Sequence, residues 1–156
     1  MYEEPGTAAE TIYRLDVFIG HAWRSHQEWL DVVSFFDAIE KLTWRNFSVP
    51  WHDPALHHSR ELDYGLLTTT YKSQIMPANI FLLITDLLSS NGNKRWLSLG
   101  LDFAEELKVP IYALRSEQSA HYKDFEERCI QTLPMTMASI EEIASRHCIE
   151  AEFRFV

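Results

Sequence analysis

Cysteine is nearly absent from this sequence: Cys129 and Cys148 are the only two in 156 residues. Neither has a Cys or His partner at metal-ligand spacing, which argues against a disulfide framework and a thiolate metal site and leaves two reduced thiols. Long apolar runs are missing too, none approaching the roughly 20 residues that span a bilayer. The amino-terminal Met1-Tyr2-Glu3-Glu4-Pro5 lacks the basic-then-apolar order of a secretory signal, so the expected compartment is the cytoplasm. Basic residues are scarce: 14 Lys and Arg stand against 23 Asp and Glu, a net charge of −9. No basic cluster is available to release counterions from a phosphate backbone. The expected partners therefore include no nucleic acid and no membrane.

What is present is a core. Hydrophobic residues make up 46% of the chain, enough for one folded domain of this length. Residues 1–11 are polar and read as a flexible tail, with a single domain over 12–156. Tyr13 to Ile19 reads as a buried strand bounded by Gly20. From Ser25 to Leu42, Trp29, Val32, Val33, Phe36 and Ile39 recur at helical spacing, and Ser25 with Glu28 forms a capping box. Phe47-Ser48-Val49 is predicted as a second strand, stopped by Pro50.

A helix is predicted from Arg60 to Met76, ended by Pro77. Asn79 to Thr85 follows as a continuous apolar strand of the central parallel kind. Lys94 to Lys108 reads as a helix and Ile111 to Leu114 as a strand. A short acidic helix from Tyr122 to Ile130 comes next, then a fifth strand over Leu133 to Met135. The last predicted helix runs from Ser139, its N-cap, to Arg146. Strand and helix alternate, which predicts a three-layer flavodoxin-like α/β domain around a parallel sheet of about five strands. Ligands of such sheets bind beyond the carboxyl ends of the strands, at the switch in strand order. That rule selects the segments Gly20 to Arg24, Pro50 to Ser59, Asp86 to Arg95, and the loop opening at Arg115.

Each segment offers polar groups with two readings. Gly20 permits close approach of a ligand to the backbone, while His21 and Trp23 either line a pocket or fill space over the sheet edge. Asn46 and Ser48 bring short hydrogen-bonding side chains to a strand end. Asp53, before Pro54, suits an Asx turn or accepts hydrogen bonds from a ribose. His52, His57 and His58 are irregularly spaced, which favours surface roles over a metal site. Asp86 sits at the carboxyl end of the central strand, where ligand-facing groups belong.

The run Trp44-Arg45-Asn46-Phe47-Ser48-Val49-Pro50-Trp51-His52-Asp53-Pro54, with Asp16-Val17-Phe18-Ile19-Gly20-His21-Ala22-Trp23 before it, resembles the second loop and first strand of TIR-like domains of the bacterial antiphage Thoeris type. Phe47 stands where that pattern has tyrosine, and Trp51 where it has glutamate. Lys94 to Ala104 resembles the family's Trp-x-x-x-Glu helix, with Trp96 in place and Gly100 where the catalytic glutamate would stand. The likeness covers about Tyr13 to Ile143. It implies NAD or a related nucleotide as substrate or ligand, with no resident cofactor, bound by Gly20, His21, Trp23, Asn46, Ser48, Asp53 and Trp96.

The family's carboxylate stabilises an oxocarbenium-like transition state as a glycosidic bond breaks, which glycine cannot do. Two consequences stay open. Gly100 is a packing glycine in a non-catalytic domain, or the acid has moved to Asp86 or Asp53. The first makes the chain a TIR-like module that binds nucleotide without cleaving it, or pairs with other TIR-like or effector proteins or with itself. The second makes it an NAD glycohydrolase or cyclase. Trp51 serves either as lid or as interface residue. A receiver domain ranks low, because Gly20-His21 stands where that fold needs acids.

Overall fold

A computed structural model describes residues 11–20, 27–48 and 64–151. The elements in chain order are β1 (Ile12–Gly20), α1 (Gln27–Asp37), β2 (Leu42–Asn46), α2 (Tyr64–Ile75), β3 (Ile80–Ile84), a 3₁₀ turn (Thr85–Ser89), α3 (Asn91–Glu106), β4 (Ile111–Arg115), α4 (Lys123–Glu126), β5 (Gln131–Pro134), α5 (Met137–His147) and β6 (Ile149–Ala151). The five parallel strands run in the order β2-β1-β3-β4-β5, with β6 antiparallel on β1. This is the flavodoxin-like α/β arrangement. Every residue of β3 is buried, as a central strand covered on both faces requires. No helix among the described residues is long and apolar enough to cross a membrane.

Strand alternation assigns the helices to faces. Trp44, in register with Leu15, stacks on Phe36 of α1 at 4.8 Å, and α1 touches α5. Phe18 points the other way, stacking on Tyr71 of α2 at 5.6 Å and on Phe81 at 5.1 Å. Gly20 shares that second face. A Cβ on it would meet Leu97 Cδ2 at 2.9 Å, so glycine here lets α3 lie close to the sheet.

Several boundaries differ from the sequence expectation. The first helix stops at Asp37 rather than Leu42: Lys41 takes a left-handed φ of 62° and Leu42 already belongs to β2. Ser25, its predicted cap, lies outside the described residues. The second strand is Leu42–Asn46, not Phe47 to Val49, because Tyr13↔Leu42 through Val17↔Asn46 sets the pairing. Beyond it the Asn46 side chain accepts the Ser48 N–H at 3.0 Å and turns the chain. Helix α3 begins three residues before Lys94, at Asn91, capped by Ser90, whose side chain accepts from the Asn93 N–H. The acidic helix is one turn, Lys123–Glu126, and β5 starts at Gln131. Thr136, not Ser139, caps α5, accepting the Ser139 N–H at 3.2 Å. Strand β6 had no counterpart in the sequence reading.

One charge is built into the sheet. Asp16 of β1 is 5% exposed, and its two oxygens accept from Arg45 Nε at 2.7 Å and Nη2 at 2.9 Å. Asn79 fills the gap between β6 and β3 by exchanging two bonds with the Asp16 backbone, at 2.8 and 2.7 Å. The buried carboxylate and the interrupted ladder are thus both satisfied.

Under α5, the buried Tyr112 hydroxyl meets His147 Nε2 at 2.6 Å. Burial, and then the Arg146 charge, hold His147 below its ordinary value of 6.5. The folded chain therefore binds this proton less readily than the unfolded chain, so stability rises with pH where the two differ. The melting temperature is expected to hold above pH 7 and to fall as pH drops below 6.5. That part of the fall should vanish in His147→Gln, as thermal scans from pH 8 to 5.5 would show.

Candidate functional site at the carboxyl edge of the sheet

Four adjacent strands bring their ends together at one edge. Gly20 of β1 pairs with Leu83 of β3, and Ile84 with Leu114 of β4. Neighbouring strands lie about 4.8 Å apart, so Ser48, Gly20, Asp86 and Ser116 follow one another across the edge. Strand order reverses between β1 and β3, the switch point at which doubly wound sheets place ligands.

Ser48 is held where β2 ends. Its hydroxyl oxygen accepts the Ile19 N–H at 3.0 Å, next to a Phe47 N–H bond to the Val17 carbonyl at 2.9 Å. The hydroxyl oxygen thus continues the ladder that β2 has stopped making, with no acceptor for its proton among the described residues. The Asn46 side-chain oxygen accepts the Ser48 N–H. Asp86 lies in the 3₁₀ turn after β3, half-buried. It accepts from the Ser116 N–H at 3.3 Å on one oxygen and from the Ser116 hydroxyl on the other. Ser116 was not singled out in the sequence, because a serine after a strand carries no signature of its own. His21, Trp23, Trp51 and Asp53 lie outside the described residues.

Trp96 and Gly100 pack against Tyr71 of α2. Trp96 stacks on Tyr71 at 4.1 Å, and its carbonyl accepts the Tyr71 hydroxyl at 3.2 Å. Gly100 is buried under the same ring: a Cβ on it would stand 2.1 Å from Tyr71 Oη and 2.8 Å from Cζ. Where a glutamate side chain would begin there is a phenol. Burial raises the Tyr71 pKa well above its ordinary value, so the hydroxyl stays a neutral donor.

The remaining acids of α3 are engaged in ion pairs. Arg128 holds Asp102 at 2.5 Å and Glu105 at 2.7 Å, and Lys72 holds Glu106 at 2.7 Å. Among the described residues no group of three His, Cys, Asp or Glu is placed to hold a metal ion. Cys129 is chemically quiet, since burial raises its thiol pKa to about 12.

Cavities lie at both edges of the sheet. One of about 250 Å³ lies beside the start of α3, among Lys94, His121, Tyr122 and Phe125, with Lys94 Nζ 5.4 Å above the Tyr122 ring. A groove of about 670 Å³ lies at the opposite, amino edge, lined by Tyr13, Ile39, Leu42, Met137, Ala144 and Cys148. It is roomier, but it lies at the wrong end of the strands for a ligand of this fold.

No family model matches the sequence, and no curated protein does. Among solved structures, the fold is similar to a 2-deoxyribosyltransferase from Bacillus psychrosaccharolyticus. The two are 11% identical with a TM-score of 0.51, over 81% of this chain and 90% of that one. A second similarity is to the TIR domains of the activated Roq1 resistosome, which recognises the pathogen effector XopQ. There identity is 15% and the TM-score 0.43, over 85% of this chain and 71% of that one. At these identities the first likeness establishes the fold alone, a flavodoxin-like α/β domain.

Proposed function

We propose that the chain is a TIR-like nucleotide-binding domain, of the kind used in bacterial antiphage signalling, that holds NAD or a related nucleotide at the carboxyl edge without cleaving it. The observation that carries this reading is Asp86: a half-buried carboxylate at the carboxyl edge of the sheet, just after β3, fixed by Ser116 beyond β4. The binding role is favoured over an NAD glycohydrolase because α3 offers no free acid. Gly100 faces Tyr71, and Asp102, Glu105 and Glu106 are in ion pairs.

Calorimetric titration with NAD, alongside an assay for released nicotinamide, tests it. Wild type is expected to bind NAD with no nicotinamide release above background. Asp86→Asn should bind about 10-fold or more weakly, the worth of one hydrogen bond to a charged acceptor. Release that disappears in Asp86→Asn would overturn the non-catalytic reading and make Asp86 the displaced acid. No binding at all would leave the protein-interaction module, with other TIR-like or effector proteins or a second copy as partner.

A further inference from the structure

Two consecutive residues at the end of β3 reach across to the segment after β4. Thr85 is fully buried, and its hydroxyl lies 2.8 Å from that of Ser119. Ser119 gives its single proton to the Ala120 carbonyl at 2.9 Å, so Thr85 is the donor in the pair. One residue on, both Asp86 oxygens are engaged by Ser116, one by its N–H and one by its hydroxyl. Two bonds from one residue to two oxygens fix the plane of the carboxylate as well as its place. Hydrogen bonds to a charged acceptor are about twice as strong as neutral ones. The rotamer entropy of Asp86 is thus already spent before any ligand arrives.

Each carboxylate oxygen has about two acceptor sites. Ser116 takes one on each, and no other donor among the described residues is recorded on either. Among the described residues, what remains is an acceptor site on each of two oxygens, held by Ser116 at the carboxyl edge where β3 and β4 end. The chemical partner of that pattern is a pair of hydroxyl donors on adjacent carbons.

We infer that Ser116 is a positioning residue that presents Asp86 as a two-oxygen acceptor for the vicinal hydroxyls of a ribose. This rests on the nucleotide-binding reading above and adds a selectivity to it. A ribonucleotide fills both remaining acceptor sites; its 2′-deoxy counterpart fills only one of them.

The test titrates AMP and 2′-deoxy-AMP into the full chain for wild type, Ser116→Ala and Ser116→Thr, with NAD as reference. The melting temperature and the Asp86 carboxyl carbon resonance are followed in each. Wild type should prefer AMP about 10-fold. Ser116→Ala should lose the preference and move the resonance while its melting temperature stays within a few degrees of wild type. Ser116→Thr should keep the preference. A preference that survives Ser116→Ala overturns the inference, as does a melting temperature that collapses together with binding. Wild type that binds NAD without preferring AMP overturns the ribose selectivity and leaves the nucleotide reading standing. Wild type that binds none of the three overturns both.

Discussion

Gly100→Glu is expected to unfold the domain rather than equip it with a catalytic acid. The new Cβ would lie 2.1 Å from Tyr71 Oη, and the phenol has nowhere to go. Its ring is stacked between Trp96 at 4.1 Å and Phe18 at 5.6 Å, with Phe103 edge-on at 5.8 Å. Overpacking of this kind costs about 1–3 kcal/mol. Alanine recovers about 1 kcal/mol over glycine in a helix, so Gly100→Ala should lose at most about 2 kcal/mol. Glutamate adds a carboxylate where the nearest groups are the Tyr71 phenol, already donating to the Trp96 carbonyl, and the Phe81 ring. An uncompensated buried charge pushes the loss beyond about 4 kcal/mol, among the largest single-residue effects. Urea denaturation of the three proteins is the check. A cooperative Gly100→Glu transition at the wild-type midpoint would show that the ring moves aside freely.

Tyr71→Ala is the second large effect. The side chain is 1% exposed and fills the space between α2, α3 and β1. Emptying such a site costs about 3–5 kcal/mol for an aromatic side chain. A subtler comparison isolates the hydroxyl. Tyr71→Phe removes the atom nearest the Gly100 Cβ position and leaves Cζ at 2.8 Å. Gly100→Ala should therefore cost less in the Tyr71→Phe background than in wild type, by about 0.5–1 kcal/mol. Strict additivity in that four-protein cycle would mean the clash is set by the ring and not by its oxygen.

The elements that could be read from the sequence are those whose burial repeats with a clear period. Ile80–Ile84 is apolar without interruption because both faces of β3 are covered, and β1 and β4 carry the same signal in their buried halves. Strand β2 was misplaced because it is an edge strand with no buried residue, so its pattern Leu-Thr-Trp-Arg-Asn is weaker than the apolar Phe47 and Val49 beyond it. Strand β6 has three residues and depends wholly on its partner.

The place of Asp86 just beyond the end of β3 could be read from the sequence, by a rule about topology. Ser116 and Ser119 were missed because their roles depend on contacts across 30 and 34 residues of sequence. Gly100 was read through the chemistry that glycine lacks. Its packing reason, a tyrosine 29 positions earlier, leaves no trace in the local sequence.

The pairing of β6 with β1 also sets how the domain answers to mechanical load. Ile12 and Ala151 face each other at one end of an antiparallel ladder three residues long. Tension applied through those two points pulls across the strands, not along them, and so breaks the hydrogen bonds one at a time. Strand β6 should peel away at low force while the other five strands and Asp86 keep their places. The domain would yield first at its amino edge, far from Asp86.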